Sequence, residues 1–247
     1  MARKALIAGV VLVVILIVAV KFVGSNLDGL VQRLIEKKGS EVAGVPVSVN
    51  RVALELKEGR GEIEGLVVDN PNGYKERHAF NLGSIVLAID PATVTSDVML
   101  VRELTIDAPD VAYEEVSGTS NVEAIANNAD SYARTHDGAA SDTAPNGDPA
   151  ASQRFIVDSL QIRNGKVRLP GAERGDGVVD LPTIRMSDIG KSRGGVTGPD
   201  VAQIVIAKMT EQIKAVAKQA LAGRAKERVT EAVKDKIPER QRPARRR

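Results

Sequence analysis

The chain contains no cysteine and no tryptophan, and only three phenylalanines and three tyrosines occur among its 247 residues. Without cysteine, the protein has no disulfides, thiolate nucleophiles or cysteine-based metal sites. Six aromatic residues are too few for the base-stacking platforms of single-strand nucleic-acid-binding proteins. The net charge of +2 gives no overall attraction for a polyanion. Composition therefore excludes thiol chemistry and argues against nucleic acid as a partner.

The familiar catalytic and cofactor motifs are also absent from the sequence. The two histidines, His78 and His136, have no partner at the spacing of a zinc site. No nucleophile elbow, Walker loop or dinucleotide-binding glycine motif occurs. We therefore expect no catalytic residue, no metal site and no cofactor, and we predict that the protein is not an enzyme.

The longest hydrophobic run lies near the N-terminus and predicts a membrane anchor over residues 1–24. Arg3 and Lys4 precede an uncharged run that, extended past Lys21, is long enough for about 28 Å of helix. The basic flank predicts a cytoplasmic N-terminus and places the rest of the chain outside the cytoplasm. A cleaved secretory signal is the alternative, but no Ala-x-Ala site follows the run. Residues that mark the predicted span are Ala5, Val10, Ile15, Val20 and Val23.

Residues 25–40 predict an amphipathic helix. Its apolar positions recur at helical spacing and form one stripe. Packing of this stripe on the following domain is favoured over contact with the membrane surface. The stripe consists of Leu27, Leu30, Val31, Leu34 and Ile35.

After Gly44 the hydrophobic period changes to two, which predicts β-strands. We divide them into a first sheet segment, 41–119, and a second, 153–190. Pro91 and Pro109 are expected to separate strands. The strand candidates are 45–56, 62–69, 82–90, 98–107, 110–116, 155–163, 166–169 and 177–186.

Between the two sheet segments, residues 120–152 predict a short helix at 121–134 and then a flexible linker. The linker is rich in Ala, Asn, Asp, Ser and Gly and has too little apolar content to pack. Its Asp and Asn side chains could bind Ca²⁺ weakly, but a solvated linker is the favoured interpretation.

The C-terminal region predicts a helix over 197–237 and a disordered basic tail over 238–247. Pro199 and Asp200 suit a first helical turn, and Gly223 is expected to break or weaken the helix. The apolar stripe of this helix is Val201, Val205, Met209, Ile213, Val216 and Ala220. A solvated tail is favoured, with contact to an anionic surface as the alternative role of Arg240, Arg242, Arg245, Arg246 and Arg247.

A short pattern recurs three times along the strands. It starts at Ile63, Val101 and Val157. It reads apolar, two residues, Leu, one residue, Val or Ile, one residue, a small residue or Asn, and then Pro or Gly. Leu and the β-branched residue two positions later point to one face of a sheet. The segment Asp69-Asn70-Pro71-Asn72-Gly73 follows the first copy, and we interpret it as a strand corner rather than a Ca²⁺ loop.

The order of these parts resembles the N-terminal region of the AsmA-like family of bacterial envelope proteins. The resemblance rests on the predicted anchor, on NLDGLVQRLIEKKGSEVAGVPV, on VNRVALELKEGRGEIEGLVVDNPNGY, and on AFNLGSIVLAIDPATVTSD with VMLVRELTIDAPDVAYE. A second repeat of the kind is formed by FIVDSLQIRNGKVRL and VVDLPTIRMSDIG, so the likeness covers about residues 1–190. It implies a single-pass anchor in a Gram-negative inner membrane and a curved β-sheet in the periplasm. Family members are linked to lipid movement and to outer-membrane assembly.

The predicted fold is therefore α+β, with a transmembrane helix, a curved and mostly antiparallel sheet, and a C-terminal helix on or beside the sheet. We expect an apolar sheet groove that binds phospholipid acyl chains or packs on another envelope protein, with ordinary core packing as the simpler alternative. The other candidate function is a structural adaptor that docks through the C-terminal helix. The expected groove-lining residues are Leu66, Val68, Ile85, Leu87, Ile89, Leu104, Ile106, Leu160 and Ile162.

Overall fold

The computed structural model describes residues 27–55, 57–136, 153–169 and 177–236. They form an α+β fold in which a mostly antiparallel sheet is followed by a C-terminal helix, as predicted. The predicted membrane span, the linker over 137–152 and the basic tail over 238–247 lie outside the described residues. Among the helices that are described, none has both the length and the apolar character needed to cross a membrane.

Three helices and eleven strands make up the described parts of the chain. The helices are α1 (Leu27–Ala43), α2 (Asn121–His136) and α3 (Gly198–Lys236). The first six strands are β1 (Val47–Glu55), β2 (Arg60–Asp69), β3 (His78–Ile89), β4 (Val98–Ala112), β5 (Glu115–Val116) and β6 (Thr119–Ser120). The others are β7 (Arg154–Arg163), β8 (Gly165–Arg168), β9 (Val178–Leu181), β10 (Ile184–Ile189) and β11 (Val196–Thr197).

The main sheet has nine strands but is only six positions wide. Its order is β1-β2-β3-β4-β7-β10, with β8 paired to β4 and β9, and β11 paired to β7. Every pairing is antiparallel except those of β4 with β7 and β8, which are parallel. At about 4.8 Å between neighbouring strands the sheet is about 24 Å across.

One face of the sheet is built from rows of identical or similar side chains that run across the strands. In one row, Ile63 pairs with Ile85, Ile85 with Ile106, Ile106 with Ile162, and Ile162 with Ile184. The adjacent row contains Leu87, Leu104 and Leu160. Directly opposed apolar side chains are the unit that stabilises a sheet. The period-two pattern that predicted the strands therefore supplies one continuous apolar face.

The alternation of buried and exposed residues shifts by one position along a line that crosses the sheet. On β2 the buried residues Ile63 and Leu66 are three apart, and the pairs at that line are missing from otherwise regular ladders. Three residues on this line have positive φ, namely Gly65 (60°), Ala108 (49°) and Asn164 (56°). We call the line the crease; it consists of Asn50, Gly65, Gly83, Ala108 and Asn164.

The crease corrects the prediction that Pro109 separates two strands. Strand β4 runs from Val98 to Ala112 without interruption, and Pro109 pairs with Leu82 inside it. Proline is tolerated in strands at irregular positions because its missing N–H then costs no regular ladder bond. Here the left-handed Ala108 directly before it provides that irregularity. The candidate at 177–186 is likewise divided into β9 and β10, with Pro182 between them.

The sequence repeat at a spacing of 56 coincides with the register of the parallel strands. Val101 pairs with Val157, Leu104 with Leu160, and Ile106 with Ile162, each 56 residues apart. The first copy does not follow this register, because Ile63 shares its row with Ile106 and not with Val101. Two of the three repeat copies are therefore equivalent positions in the sheet.

Helix α1 covers the outer edge of β1 with polar side chains. Gln32 Nε2 donates to Val49 O at 2.8 Å, Val49 N donates to Glu36 Oε1 at 3.1 Å, and Val47 N donates to Ser40 Oγ at 2.8 Å. Gln32, Glu36 and Ser40 are four residues apart, so they lie on one face of the helix. An exposed strand edge invites pairing with other chains. Part of this edge is therefore satisfied within the molecule.

Two helix predictions change in detail. In α1 the buried residues are Val31, Ile35, Gly39, Val42 and Ala43, whereas Leu30 of the predicted stripe is 49% exposed. Val31, Ile35, Gly39 and Ala43 recur every four residues with Val42 beside them, so the buried face is turned away from Leu30. In α3 the helix continues through Gly223 to Lys236. A single glycine costs a helix only about 1 kcal/mol, which is too little to end one that is anchored by tertiary packing.

The crease makes Gly65 a position where a side chain is not tolerated. Its φ is +60°, and a Cβ built there would lie 2.9 Å from the Cβ of Asn50. We expect Gly65→Ala to lower the free energy of unfolding by about 1–3 kcal/mol, measured by urea unfolding of the full chain. Gly223→Ala is the control, because no atom lies within 4 Å of its built Cβ, and it should stabilise by up to about 1 kcal/mol. Equal stability of the two variants would contradict the role of the crease.

Candidate functional site

The nine residues predicted to line a groove lie together on the apolar face of the sheet. Eight of them are buried, with exposed fractions between 0% and 7%, and Val68 is partly buried. They belong to a single hydrophobic cluster that also contains residues of all three helices. The sequence therefore identified the correct face, and the structure places that face in the core.

Helix α3 supplies much of the cover over this face. Val201, Val205, Met209 and Ile213 are buried in the same cluster as the sheet residues, and Ala217 takes the next buried position. The predicted members Val216 and Ala220 are partly buried against the cluster. The stripe follows every fourth residue, so it turns slowly around the helix. Its partners are β7, β8, β9, β10 and β11.

The cover is less complete where β2 and β3 approach the corner loop. Val68 pairs with Phe80, and Leu66 pairs with Leu82, on the apolar face beyond the crease. Val68, Phe80 and Leu82 are only partly buried, although they pack against the core. This region is the part of the predicted groove that retains access to solvent among the residues described.

The corner loop that follows β2 is held by one buried carboxylate. Glu114, 7% exposed, accepts hydrogen bonds from the backbone N–H of Lys75 at 2.8 Å and of Glu76 at 2.7 Å. It also accepts one from Asn70 Nδ2 at 3.2 Å. Charge-assisted hydrogen bonds of this kind are stronger than neutral ones. The loop at Asp69–Gly73 is thus fixed by a side chain more than forty residues away.

A fully buried asparagine extends this network to the start of α2. Asn121 Nδ2 donates to Asn70 Oδ1 at 2.8 Å and to Ala112 O at 2.7 Å, and its Oδ1 accepts from Glu114 N at 3.0 Å. Among the described side chains, no buried polar atom lacks a hydrogen-bond partner. Closed networks of this type specify a geometry because every member would be costly to leave unpaired. The network therefore connects the corner loop to the end of β4 and to the start of α2.

The two helices that meet above the sheet both begin with a capping box. Ser120 and Glu123 exchange hydrogen bonds at the start of α2, and Thr197 and Asp200 do so at the start of α3. Glu123 also binds Lys214 of α3 in an ion pair. The Lys214 ammonium, followed by the Ser120 hydrogen bonds, lowers the pKa of the Glu123 carboxyl, and Glu123 raises the pKa of Lys214. This ion pair ties α3 to α2.

The described side chains beyond Ala220 on α3 are largely exposed. Leu221 is 37% exposed, and Ala225, Lys226 and Glu227 are exposed as well. At 1.5 Å per residue, the helix extends about 24 Å past Ala220. A helix that is buried over its first half and exposed after it presents a surface to something other than its own sheet.

No constellation for catalysis or metal binding is found among the described residues. They contain no group of three His, Asp or Glu side chains placed to hold a metal ion. His78 Nδ1 lies 2.6 Å from Asp69 Oδ1 on the exposed side of the corner, and the described residues put no hydroxyl nucleophile in hydrogen-bond contact with it. His136 ends α2. The prediction that the protein is not an enzyme stays a prediction.

Two predicted contact sets lie outside the described residues. They are the span marked by Ala5, Val10, Ile15, Val20 and Val23 and the tail arginines Arg240, Arg242, Arg245, Arg246 and Arg247. Sequence reasoning missed Glu114, Asn121 and the Glu123–Lys214 pair. The capping box Ser120-x-x-Glu123 could have been recognised from its spacing. Nothing local marks Glu114, because its partners come from a distant loop.

No protein-family model, no curated protein and no solved structure matches the chain. The AsmA-like resemblance therefore depends on the motifs given above.

Glu114 offers a direct test of the corner network. Glu114→Gln turns an amide N–H₂ toward backbone donors, so we expect it to lower the free energy of unfolding by about 1–3 kcal/mol. The neighbouring Glu115 is exposed, and Glu115→Gln should stay within about 0.5 kcal/mol of the parent chain. Urea unfolding of the full chain at neutral pH distinguishes them. Equal effects of the two variants would show that Glu114 does not hold the corner.

The Glu123–Lys214 pair predicts a pH-dependent coupling between α2 and α3. Because the pKa of Glu123 is lowered in the fold, its contribution is present above the unfolded-state pKa and is lost as the pH falls through the folded-state value. The raised pKa of Lys214 sets the alkaline limit, since its contribution is lost as the pH rises through the folded-state value.

A double-mutant cycle with Lys214→Met and Glu123→Gln measures this coupling. Because both side chains are at least a third exposed, we expect at most about 1 kcal/mol at neutral pH. The coupling should vanish once Glu123 is protonated. A coupling that persists in acid would mean that packing, and not charge, joins the two side chains.

Proposed function

We propose that the chain is a non-enzymatic, AsmA-like protein of the cell envelope, anchored in the inner membrane by residues 5–23 with the bulk of the chain in the periplasm. Within that setting it acts as a structural adaptor that docks another envelope component through the C-terminal half of α3. The basic run before the span supports the orientation. The motifs described above support the family likeness.

The observation that carries the adaptor proposal is the division of α3. Its first half is buried in the same hydrophobic cluster as the predicted groove residues, and it contacts β7, the strand of Leu160 and Ile162. Its second half exposes Leu221, Ala225 and Lys226. A protein whose groove is filled by its own helix has its free surface elsewhere, and the end of α3 is that surface.

Lipid handling is the second candidate, and one observation favours it. Val68, Phe80 and Leu82 form a partly buried apolar patch at the end of the covered face. An acyl chain entering there would extend along the rows of Leu and Ile if α3 moved aside. Each buried methylene group contributes about 0.8 kcal/mol, so a bound chain would offset part of the packing lost from α3.

Site-specific photo-crosslinking in cells tests the adaptor proposal. A crosslinker at Lys226 should capture one defined envelope protein. The same group at Arg185, an exposed position on the opposite, polar face of the sheet, is the control and should not capture it. Identical products at both positions, or none at Lys226, would reject docking through α3.

Mass spectrometry of lipids that copurify with the full chain tests the lipid candidate. Phospholipid bound at a fixed ratio after detergent exchange would favour the groove, and its absence would favour the adaptor.

A periplasm-active reporter fused after Arg247 tests the membrane orientation separately. We expect an active reporter, and an inactive one would refute the proposed topology.

A further inference from the structure

Three Asn–Gly steps occur in the chain, at residues 72–73, 146–147 and 164–165. Asparagine before glycine is chemically fragile, because glycine has no side chain to keep its backbone nitrogen away from the asparagine amide carbon. The fold decides whether that approach can happen. The step at 146–147 lies outside the described residues, and the other two have opposite environments.

Asn72 and Gly73 lie at the exposed tip of the corner loop. Both residues are exposed, Gly73 has φ of +100°, and no atom lies within 4 Å of a Cβ built on it. Neither the Asn72 side chain nor the Gly73 N–H makes a hydrogen bond within the described structure. The loop is held by Glu114 through Asn70 on one side and Lys75 and Glu76 on the other. The tip between these attachments keeps its local freedom.

Asn164 and Gly165 are held in place at the crease. Asn164 Nδ2 donates to Asp107 Oδ1 at 2.7 Å, which fixes the side-chain amide. Gly165 is buried and begins β8, where a built Cβ would lie 3.0 Å from both Leu181 and Pro109. Moving the Gly165 nitrogen toward the Asn164 amide carbon would disturb the pairing of Gly165 with Leu181 and crowd Pro109. The same dipeptide is thus protected here by the fold.

We propose that Asn72 is a site of spontaneous deamidation and that Asn164 is not. The Gly73 nitrogen loses its proton to solvent and attacks Cγ of Asn72. The bond from Cγ to the side-chain nitrogen then breaks, and that nitrogen takes a proton from solvent and leaves as ammonia. The resulting succinimide then takes up one water molecule and opens to aspartate or isoaspartate. Either product adds a negative charge beside Lys75 and Arg77, and isoaspartate also lengthens the main chain at the loop tip.

Peptide mapping of the purified full chain, aged in mildly alkaline buffer, tests this assignment. Mass spectrometry detects the exchange of NH for O, and an isoaspartyl methyltransferase assay detects the rearranged product. We expect conversion at Asn72 to be at least about tenfold faster than at Asn164, a difference of about 1.4 kcal/mol in barrier. In concentrated urea both steps are unfolded, and their rates should converge.

Two variants sharpen the comparison. Gly73→Ala should slow conversion at Asn72, and Asp107→Ala should accelerate it at Asn164 by releasing the side-chain amide. The comparison of the two rates in concentrated urea does not depend on how well either variant folds. Equal rates at the two sites in the native chain would overturn the proposal. So would an unmodified Asn72 over a time in which the unfolded chain converts.

Discussion

The pairing of β4 with β7 is the contact on which the rest of the domain depends. It joins the strands before residue 137 to those after residue 152, and together with the pairing of β4 with β8 it is parallel in a sheet that is otherwise antiparallel. Met99, Val101, Leu104 and Ile106 oppose Phe155, Val157, Leu160 and Ile162, all buried. Without the two parallel pairings of β4 the sheet would divide into two parts, each with an apolar face too narrow to bury itself.

The rows of side chains and the crease are two consequences of one constraint. A register error of one residue would turn every Ile and Leu to the polar face. Strands β1 to β4 shift phase at the same line, so the rows stay aligned on both sides of it. Ion pairs between neighbouring strands flank the line on the polar face, Arg51 with Glu64 and Arg163 with Asp107. These exposed pairs add little stability each, but they disfavour a one-residue shift of register because it would separate the opposite charges.

Much of the strand content could be predicted from sequence because period two and turn residues are local signals. The spacing of 56 between Val101 and Val157 equals the parallel register, but the repeat alone predicted neither the pairing nor its direction. The continuity of β4 through Pro109 was not, because it depends on Ala108 adopting positive φ beside Gly83. The role of Glu114 was equally hidden, since its donors lie on a loop about forty residues earlier. Local rules fail where a distant neighbour decides the outcome.

The candidate site shows the same limit in a different form. Alternation correctly grouped Leu66, Ile85 and Leu104 on one face, but a sequence pattern is identical for a groove and for a core. What distinguishes them is whether other elements cover the face, and here residues of all three helices pack in one cluster with it. The every-fourth-residue stripe of α3 predicts burial but does not name the partner. The identity of the covering element is therefore tertiary information.

The balance between a filled and an open groove can be judged from magnitudes. Burial of Val201, Val205, Met209 and Ile213 contributes about 1.5–3 kcal/mol for each side chain, or roughly 6–12 kcal/mol together. The Glu123–Lys214 pair contributes at most about 1 kcal/mol, so apolar packing and not charge holds α3 in place. An acyl chain would need about eight to fifteen buried methylene groups to replace that packing at about 0.8 kcal/mol each. A phospholipid tail is of this length. Displacing α3 from the sheet face is therefore energetically feasible only if a lipid takes its place, and without a lipid the face stays covered by α3.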